Sequence, residues 1–592
     1  MRLKLRLAAV ATIAIAVAAC GGSTATTGGP GTSGGATTTE GNATGGTVRI
    51  GYGGSPKTLN PGLGVLVEDY IFYDLVYDSV LNIDLNGNFV PELATAWTPS
   101  EDGLTWTLTI RDDATFHDGT PLTAEDVAFS ISMWRDPSFL CPETTTTRID
   151  PDTGDTISGR CGYPWIYLGS YVDVFTSVEA PDATTVVLTT DEPLAAFEYR
   201  MPPMYVVPKH IWEAVGDPTR FDNAEMIGSG PFKLVENQQD QFVRLAANED
   251  YYAGAPHVDE AIFQTYDNQD ALVQGLINGD VDMISEFPFT AIPTLRNTAN
   301  VVVASGSNFG GRFADIYFNV VDPANCPAGS ACSGHPALRD VRVRQALATA
   351  TDKQALIDVA LLGLGEKGLG VVPKALGDWY ASELEAEDYQ FSIENANQML
   401  EDAGYVDTDG DGIRECPTED CGPTGDLTFR MSYPTDNVEH PRVSEQLQSW
   451  WGQIGVKVEI SALDAEALTA ICCPGFDYDV ILWSWSSDTD PEGLLSVILC
   501  SEIETGFNET GYCNPEYDAL YDQQTVEQDH EARVQMVHDM QRMTLEEALY
   551  IIPWYYPSVM AYRSDTFTGW QDTFPIVSLY DPSSMTVIRP AG

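Results

Sequence analysis

Apolar residues recur along the chain with two different periods. In "GLTWTLTI" every second residue from Leu104 to Ile110 is apolar, which predicts a strand with one buried face. In "YIFYDLVYDSVL" the apolar residues instead recur at helical spacing, which predicts a helix that packs on a core. "YDVILWSW" is apolar almost throughout, as in a strand that is covered on both faces.

Predicted helices and strands alternate in the second half of the chain. "VSEQLQSWWGQIGVKVEI" contains a helix, a glycine turn and a strand. Thr123 with Asp126, and Thr351 with Gln354, have the spacing of capping boxes and mark two helix starts. The alternation predicts an α/β fold class, with a first half that is richer in strands.

The first 46 residues have a different composition. "MRLKLRLAAVATIAIAVAAC" has basic residues followed by an apolar run that is too short to span a membrane, which predicts an export signal over residues 1–19. "VAAC" resembles the bacterial lipobox, so we expect cleavage before Cys20, lipidation of its thiol and attachment to a membrane surface; the alternative is an ordinary signal with a chance cysteine. Residues 20–46 are rich in Gly, Ser and Thr and predict a flexible tether.

The charge is strongly negative. The chain has 87 acidic residues against 30 Lys and Arg, a net charge of −57. A nucleic-acid partner is excluded, because binding to phosphates needs a basic face. The acids are spread along the chain, which favours a solvated surface, as in a saline medium.

Eleven cysteines are present, and ten remain when Cys20 is set aside. An even number in an exported chain predicts disulfides. The expected pairs are Cys141–Cys161, Cys326–Cys332, Cys416–Cys421 and Cys500–Cys513. The adjacent Cys472 and Cys473 either bond to each other or pair with Cys500 and Cys513 instead. No C-x2-C spacing supports a zinc site.

"DTDGDGIRECPTEDC", residues 407–421, has the alternating aspartates of a calcium loop. The glycine at the sixth position fits, but the twelfth is Thr418 instead of the bidentate glutamate, and no paired helix follows. The sequence predicts a structural Ca²⁺ site or, alternatively, a solvated acidic turn. The expected ligands are Asp407, Asp409, Asp411 and Glu415.

Five blocks in order carry a resemblance to a known family. They are "FVPELATAWTPSEDGLTWTLTIRDDATFHDGTPLTAEDVAFS", "VVPKHIWE", "IGSGPFKLVE", "DVRVRQALATATDKQALI" and "YDVILWSWSSDTDP". From Thr47 onward the chain resembles the family 5 extracellular solute-binding proteins of ABC transporters, of the dipeptide, oligopeptide and nickel type. The resemblance implies the two-lobed periplasmic-binding-protein type II fold with an additional N-terminal α+β subdomain.

The resemblance also implies the domain limits. Lobe I would comprise residues 47–67, 200–313 and 550–592, the inserted subdomain 68–199, and lobe II 314–549. The protein would not be an enzyme and would need no cofactor. It would be a monomer on the outer side of the cell membrane that delivers a small solute, with a peptide favoured, to ABC permease subunits.

The implied ligand site lies where the buried strand "YDVILWSW" ends, because ligands of α/β sheets bind beyond the carboxyl ends of strands. Asp488 has the position of the aspartate that holds a peptide's α-amino group in peptide-binding relatives. The other expected ligand-binding residues are Trp485, Trp483, Tyr52, Asn308 and Phe309. Arg312 could meet a ligand carboxylate or form a surface ion pair. Arg339, Arg342 and Arg344 belong to a structural block of the family.

The solute stays open, since related proteins carry oligosaccharides, nickel complexes or opines on one scaffold. An extracellular hydrolase and a calcium-dependent adhesion protein are remote alternatives. The G-x-S-x-G match at residues 31–35 lies in the tether, without the strand and helix that a nucleophile elbow needs.

Overall fold

The computed structural model describes most of the chain beyond the predicted tether. The described residues are 45–64, 67–84, 87–136, 147–149, 156–158, 168–169, 171–266, 268–285, 287–307, 311–417, 421, 425–435, 437, 439–487, 489–571 and 579–591. The predicted export signal, the predicted lipidation site Cys20, the predicted Cys141–Cys161 bond and the predicted ligand residues Asn308, Phe309 and Asp488 lie outside them.

A seven-stranded sheet gathers strands from three distant parts of the chain. Its strands, in spatial order, are Phe232–Gln238, Phe242–Ala247, Glu260–Thr265, Thr47–Tyr52, Met283–Ile284, Pro557–Arg563 and Val301–Ser307. Thr47–Tyr52 runs parallel to both of its neighbours. Leu272 and Leu276 of the helix Gln269–Asn278 are buried in a core that also holds Ile292 and Leu295 of the helix Ile292–Arg296.

A five-stranded sheet lies in the second half. Its order is Lys457–Leu463, Thr428–Pro434, Val480–Trp485, Phe313–Phe318 and Tyr550–Tyr555. One core on this sheet includes the helices Val341–Thr349, Lys353–Ala360, Ile393–Asp402 and His440–Gly452. Another includes the helices Pro515–Val526 and His530–Glu546. The predicted order of helix, glycine turn and strand over residues 443–460 is confirmed.

The predicted inserted subdomain contains a four-stranded antiparallel sheet. Its order is Ala94–Pro99, Thr105–Ile110, Thr185–Thr190 and Phe175–Asp182. Trp106, Leu108 and Ile110 are buried, as their alternation predicts. The helix Ala124–Trp134 begins at the capping box of Thr123 and Asp126.

Short elements complete the described chain. The paired strands are Leu81–Ile83 with Phe89–Pro91, Thr147–Ile149 with Thr156–Ser158, and Phe567–Thr568 with Arg589–Pro590. The remaining α-helices of the described residues are Val67–Val76, Lys209–Trp212, Ala465–Cys472, Glu492–Ser496, Glu502–Thr505 and Pro582–Met585, and several short 3-10 helices lie between the larger elements. In the part that the structure describes, no helix combines the length and apolarity that crossing a membrane requires.

The glycines of "IGSGPF" pack against the end of the helix Val67–Val76. The Gly230 amide donates to the Val76 carbonyl oxygen at 2.9 Å. A Cβ atom on Gly228 would lie 2.0 Å from the same oxygen. This block of the sequence therefore has a packing role that only glycine fills.

The chain passes between the two larger sheets twice, once after Ser307 and once at Tyr556. The two crossings touch, because the Tyr556 amide donates to the Arg312 carbonyl oxygen at 2.9 Å. The predicted limit at residue 550 is wrong, since Tyr550–Tyr555 pairs with Phe313–Phe318 in the five-stranded sheet. The second crossing is therefore six residues later than predicted.

Four disulfides lie within the described residues. Three were expected, namely Cys326–Cys332, Cys416–Cys421 and Cys500–Cys513. The fourth joins the adjacent Cys472 and Cys473. Of the two alternatives for this pair, the structure has the vicinal bond.

Candidate functional site

The carboxyl ends of the parallel strands of both sheets lie toward the crossings. In the five-stranded sheet, Trp485 is paired with Phe313, the first residue of the strand that follows the first crossing. In the other sheet, Met283–Ile284 runs antiparallel to Pro557–Arg563, so its carboxyl end also points toward the crossing. Ligands bind beyond such strand ends, and here two sets of them meet at one place.

A cavity of about 290 Å³ lies at the crossings and is lined from both sheets. Ser305 and Val559 line it from the seven-stranded sheet, and Tyr555 from the five-stranded one. Arg296, Glu366 and Lys374 give it charged groups of both signs.

Arg312 stands beside the crossing. Its guanidinium lies 4.7 Å from the Tyr556 ring, and its Nη2 lies 3.3 Å from Ser484 Oγ. Arg312 makes no ion pair within the described residues. Of the two roles expected for it, the surface ion pair is therefore not formed here.

Trp483 and Trp485 line a second cavity of about 300 Å³. They lie on the same face of the five-stranded sheet, where Trp483 is paired with Asp315 and Trp485 with Phe313. The Trp485 indole Nε1 donates to Glu509, 3.1 Å from Oε1 and 3.0 Å from Oε2. Trp483 and Trp485, which were predicted to bind the ligand, therefore border a cavity and are not fully enclosed in the core.

Asp315 and Glu509 form a buried acid pair beneath these tryptophans. Asp315 is 1% exposed and Glu509 4% exposed. Burial raises the pKa of Glu509 to about 7. Burial, followed by the charge of Glu509, raises the pKa of Asp315 well above its usual range. Two adjacent carboxylates that are shielded from water repel each other, so ionising both costs much free energy. The pair therefore retains a proton near neutral pH.

Asp490 and Glu492, shortly after Asp488 in the sequence, are held by ion pairs. Arg533 Nη1 and Nη2 lie 2.5 and 2.7 Å from the two carboxylate oxygens of Asp490. Arg200, at the end of the predicted inserted subdomain, pairs with Glu492. All four side chains are under 10% exposed. Residues from three parts of the chain thus meet at Asp490 and Glu492.

Tyr52 does not reach the crossing in this structure. Its ring packs edge-on against Phe72 and Phe263, and the residue is 2% exposed. This placement gives Tyr52 a core role and does not support the predicted ligand contact.

Two of the three arginines of the block, Arg342 and Arg344, have the structural role that was expected. Arg344 is buried and donates to the carbonyl oxygens of Leu338 and Glu547 and to the Glu547 carboxylate. Arg342 forms an ion pair with Asp340, which caps the helix Val341–Thr349. These hydrogen bonds and ion pairs hold the helix Val341–Thr349 in place.

Three of the four predicted calcium ligands come together. One carboxylate oxygen each from Asp407, Asp409 and Glu415 lie within 4.8 Å of one another. Asp411 is not in this group, and its Oδ1 accepts the Ile413 amide at 2.8 Å. The loop lies on the surface, and the Asp407 carboxylate accepts the amides of Gly410 and Gly412.

Sequence reasoning missed the acid pair and the ion pairs of the ligand loop. One signal for the acid pair was available, because Asp315 interrupts the apolar run "FADIYF". A charged residue in a buried strand requires a partner or a function. No local pattern identifies Glu509 as that neighbour, since it is 194 positions further along the chain.

Comparison with known proteins gives consistent matches. Residues 88–503 match the model of bacterial extracellular solute-binding proteins, family 5 Middle. The oligopeptide-binding protein AppA of Bacillus subtilis is 25% identical over 482 residues, covering 80% of each chain.

Solved structures show the same fold. AppA from Bacillus subtilis, in complex with a nonapeptide, has a TM-score of 0.72 at 23% identity and covers 93% of this chain and 100% of its own. NikZ from Campylobacter jejuni, in complex with Ni(L-His), has a TM-score of 0.71 at 21% identity, with coverages of 90% and 99%. The type II binding-protein fold expected from the sequence is confirmed.

Proposed function

Because the chain belongs to the family 5 bacterial extracellular solute-binding proteins, we propose that it encloses a peptide-like solute between two lobes and delivers it to an ABC importer. The observation that carries this proposal is the meeting of strand carboxyl ends from both sheets beside the two crossings. Lobe I is then residues 47–67, 200–312 and 557–592, lobe II is 313–555, and residues 68–199 are inserted.

The relatives support a peptide more than another solute. AppA is named for oligopeptides and was solved with a nonapeptide, and other relatives are named for dipeptides and tripeptides. NikZ was solved with Ni(L-His), so a metal complex or another small solute is the second candidate. The two classes differ in size, and the acidic groups near Trp485 suit an amino-terminated or cationic solute.

The mechanism is binding without turnover. The crossings act as the hinge, and closure buries the solute between the strand ends. A solute favours closure only through contacts that it makes more strongly in the closed form. Asp488 would hold the α-amino group, because a carboxylate in a site with little water is a strong partner for an ammonium.

Asp488→Asn is expected to weaken peptide binding by about 10- to 100-fold, as for loss of one buried charge-assisted hydrogen bond. Calorimetry with a mixed set of short peptides measures it. N-acetylated peptides are the matched control, since they lack the charge that Asp488 would hold and should bind both proteins equally weakly. An affinity within twofold of the unchanged protein would remove the anchor role. Peptide cleavage during incubation would point to a hydrolase.

The anchor at Cys20 is part of the same proposal. A relative from Salmonella typhimurium is named a peptide transport periplasmic protein, which fits a site outside the cytoplasm. Several acyl chains would keep the protein at the membrane surface, within reach of the permease, while the residues before Thr47 serve as the tether.

The acidic loop is proposed to hold a structural Ca²⁺ through Asp407, Asp409 and Glu415. A chelator should then lower the melting temperature by a few degrees while peptide affinity stays within about twofold, because the ion binds the folded state and lies away from the strand ends. The Asp407→Asn variant should have the melting temperature that the unchanged protein has in chelator, whether or not calcium is present. Identical melting of the unchanged protein in calcium and in chelator would show a solvated turn instead.

A further inference from the structure

The cavity under Trp483 and Trp485 combines features that the proposed transport role alone does not require. Aromatic rings and the Cys472–Cys473 disulfide form much of its wall, and Glu509 also lines it. Asp315 lies on the same face of the sheet, between Tyr317, which lines the cavity, and Phe313. The Asp315 carboxyl is buried, and the group that it contacts is the Glu509 carboxyl.

The acid pair has no compensating cation. Within the described residues, no lysine, arginine or histidine forms an ion pair with Asp315 or Glu509. The titratable groups around the pair are the phenols of Tyr317, Tyr478 and Tyr550, whose pKa values are raised, first by burial and then by the Glu509 charge. One negative charge is therefore left in a dry place without a positive partner, which is costly unless a ligand supplies one.

We propose that this cavity is a subsite for a positively charged side chain of the bound solute, a lysine or arginine side chain of a peptide. This inference rests on the proposed function and specifies its substrate class. The alkyl part would pack between the indoles of Trp483 and Trp485, and the ammonium or guanidinium would meet the carboxyls of Glu509 and Asp315. A cation beside tryptophan rings and a desolvated carboxylate gains from both contacts.

Binding of a cation changes the number of protons that Asp315 and Glu509 hold. Without ligand, the pair shares one proton near neutral pH, since burial raises the pKa of Glu509 to about 7. Below about pH 7 the pair takes up a second proton, and when a cation binds, that second proton passes to solvent and Glu509 ionises, so no bond other than O–H breaks. Above that pH the cation meets the single negative charge and no proton is released. Affinity for the cationic side chain should fall as the pH drops below about 7, where the pair becomes neutral.

The test is a host–guest peptide series measured by calorimetry at pH 8 and pH 5. Trialanine is the host, and lysine or its uncharged isostere norleucine replaces each alanine in turn. At one position, lysine should bind at least about tenfold more tightly than norleucine at pH 8, and much of that preference should be lost at pH 5. At pH 5 the enthalpy should depend on the buffer, which reports the proton released from Glu509, and at pH 8 it should not.

Glu509→Gln and Asp315→Asn should each abolish the lysine preference at pH 8 and leave binding of the norleucine peptides within about threefold. The amide introduced by Glu509→Gln retains an oxygen that can accept the bond from Trp485 Nε1. Glu504→Gln is the matched control, because it removes the same charge from an exposed position nearby and should keep the preference.

The outcomes separate the two proposals. If the unchanged protein binds peptides but prefers lysine at no position, the subsite is overturned and the transport role stands. If no peptide of any composition binds, the proposed peptide solute fails, and this inference fails with it. If a variant does not fold, the pH dependence and the buffer dependence of the unchanged protein decide the matter.

Discussion

Replacing Arg533 by methionine is expected to lower the free energy of unfolding by about 3–5 kcal/mol, the range for breaking a buried ion pair at one partner. The Arg533 side chain is 5% exposed and makes two bonds to Asp490. Its Nε donates to Gln524 Oε1 at 2.9 Å, and its guanidinium lies 4.8 Å from the Trp379 ring. Without it, Asp490 would be a buried carboxylate with no cation.

Urea denaturation followed by tryptophan fluorescence measures the effect. Arg542→Met is the control, because Arg542 lies on the same helix and pairs with Glu387 at the surface, where ion pairs contribute little. The double variant Arg533→Met with Asp490→Leu should recover part of the loss, since it removes the stranded charge. Equal midpoints for Arg533→Met and Arg542→Met would refute a structural role for the buried pair.

The pair also fixes Asp490, which is two residues after Asp488 in the sequence. Arg533→Met should therefore weaken peptide binding in addition to stability, whereas Arg542→Met should leave binding unchanged. A loss of stability with intact affinity would show that the loop keeps its shape without Asp490.

Gly228→Ala is expected to destabilise the protein by at least about 3 kcal/mol, the upper end for overpacking. The added methyl would lie 2.0 Å from the Val76 carbonyl oxygen and 2.7 Å from its carbon. Both atoms belong to the backbone at the end of the helix Val67–Val76, so no side-chain rotation relieves the clash. The segment would have to separate, breaking the bond from the Gly230 amide to Val76.

Thermal denaturation compares this variant with Gly216→Ala. No atom lies within 4 Å of a Cβ atom at Gly216, so this control should melt at the unchanged temperature. A Gly228→Ala protein that melts with the control would mean that the end of this helix shifts freely, contrary to its packing in the core.

Periodic segments were predictable because burial imposes the period directly. The strand Thr105–Ile110, the helix His440–Gly452 and the strand Val480–Trp485 follow from their own residues. Local cysteine spacing likewise predicted three disulfides that the structure contains. In each case the partners that decide the structure lie within one segment.

Predictions failed where the local sequence allowed two adjacent residues to cap a helix or to end a strand equally well. Asp352, not Thr351, caps the helix Lys353–Ala360, because its carboxylate accepts the Ala355 amide. The Thr351 hydroxyl instead donates to the Leu347 carbonyl oxygen. Similarly, the apolar run after residue 549 gives no sign that one strand ends at Tyr555 and another begins at Pro557.

The site was predictable only in part, because a ligand cavity is made by residues that are far apart in the chain. The resemblance identified the strand end at Trp485, and the structure places a cavity beside it. Tyr52 ends an equivalent strand in the other sheet, yet its ring packs in the core. The direction of a side chain at a strand end depends on tertiary neighbours that one segment does not reveal.

The double crossing has a consequence for the order in which the chain can fold as it is made. All strands of the five-stranded sheet lie between residues 313 and 555, so that lobe is complete in one continuous stretch. The seven-stranded sheet begins at Thr47 but needs Pro557–Arg563 between Met283–Ile284 and Val301–Ser307. The lobe that is made first must therefore wait for Pro557–Arg563 to close its sheet, and a chain that stops before residue 557 would carry one finished lobe and one open one.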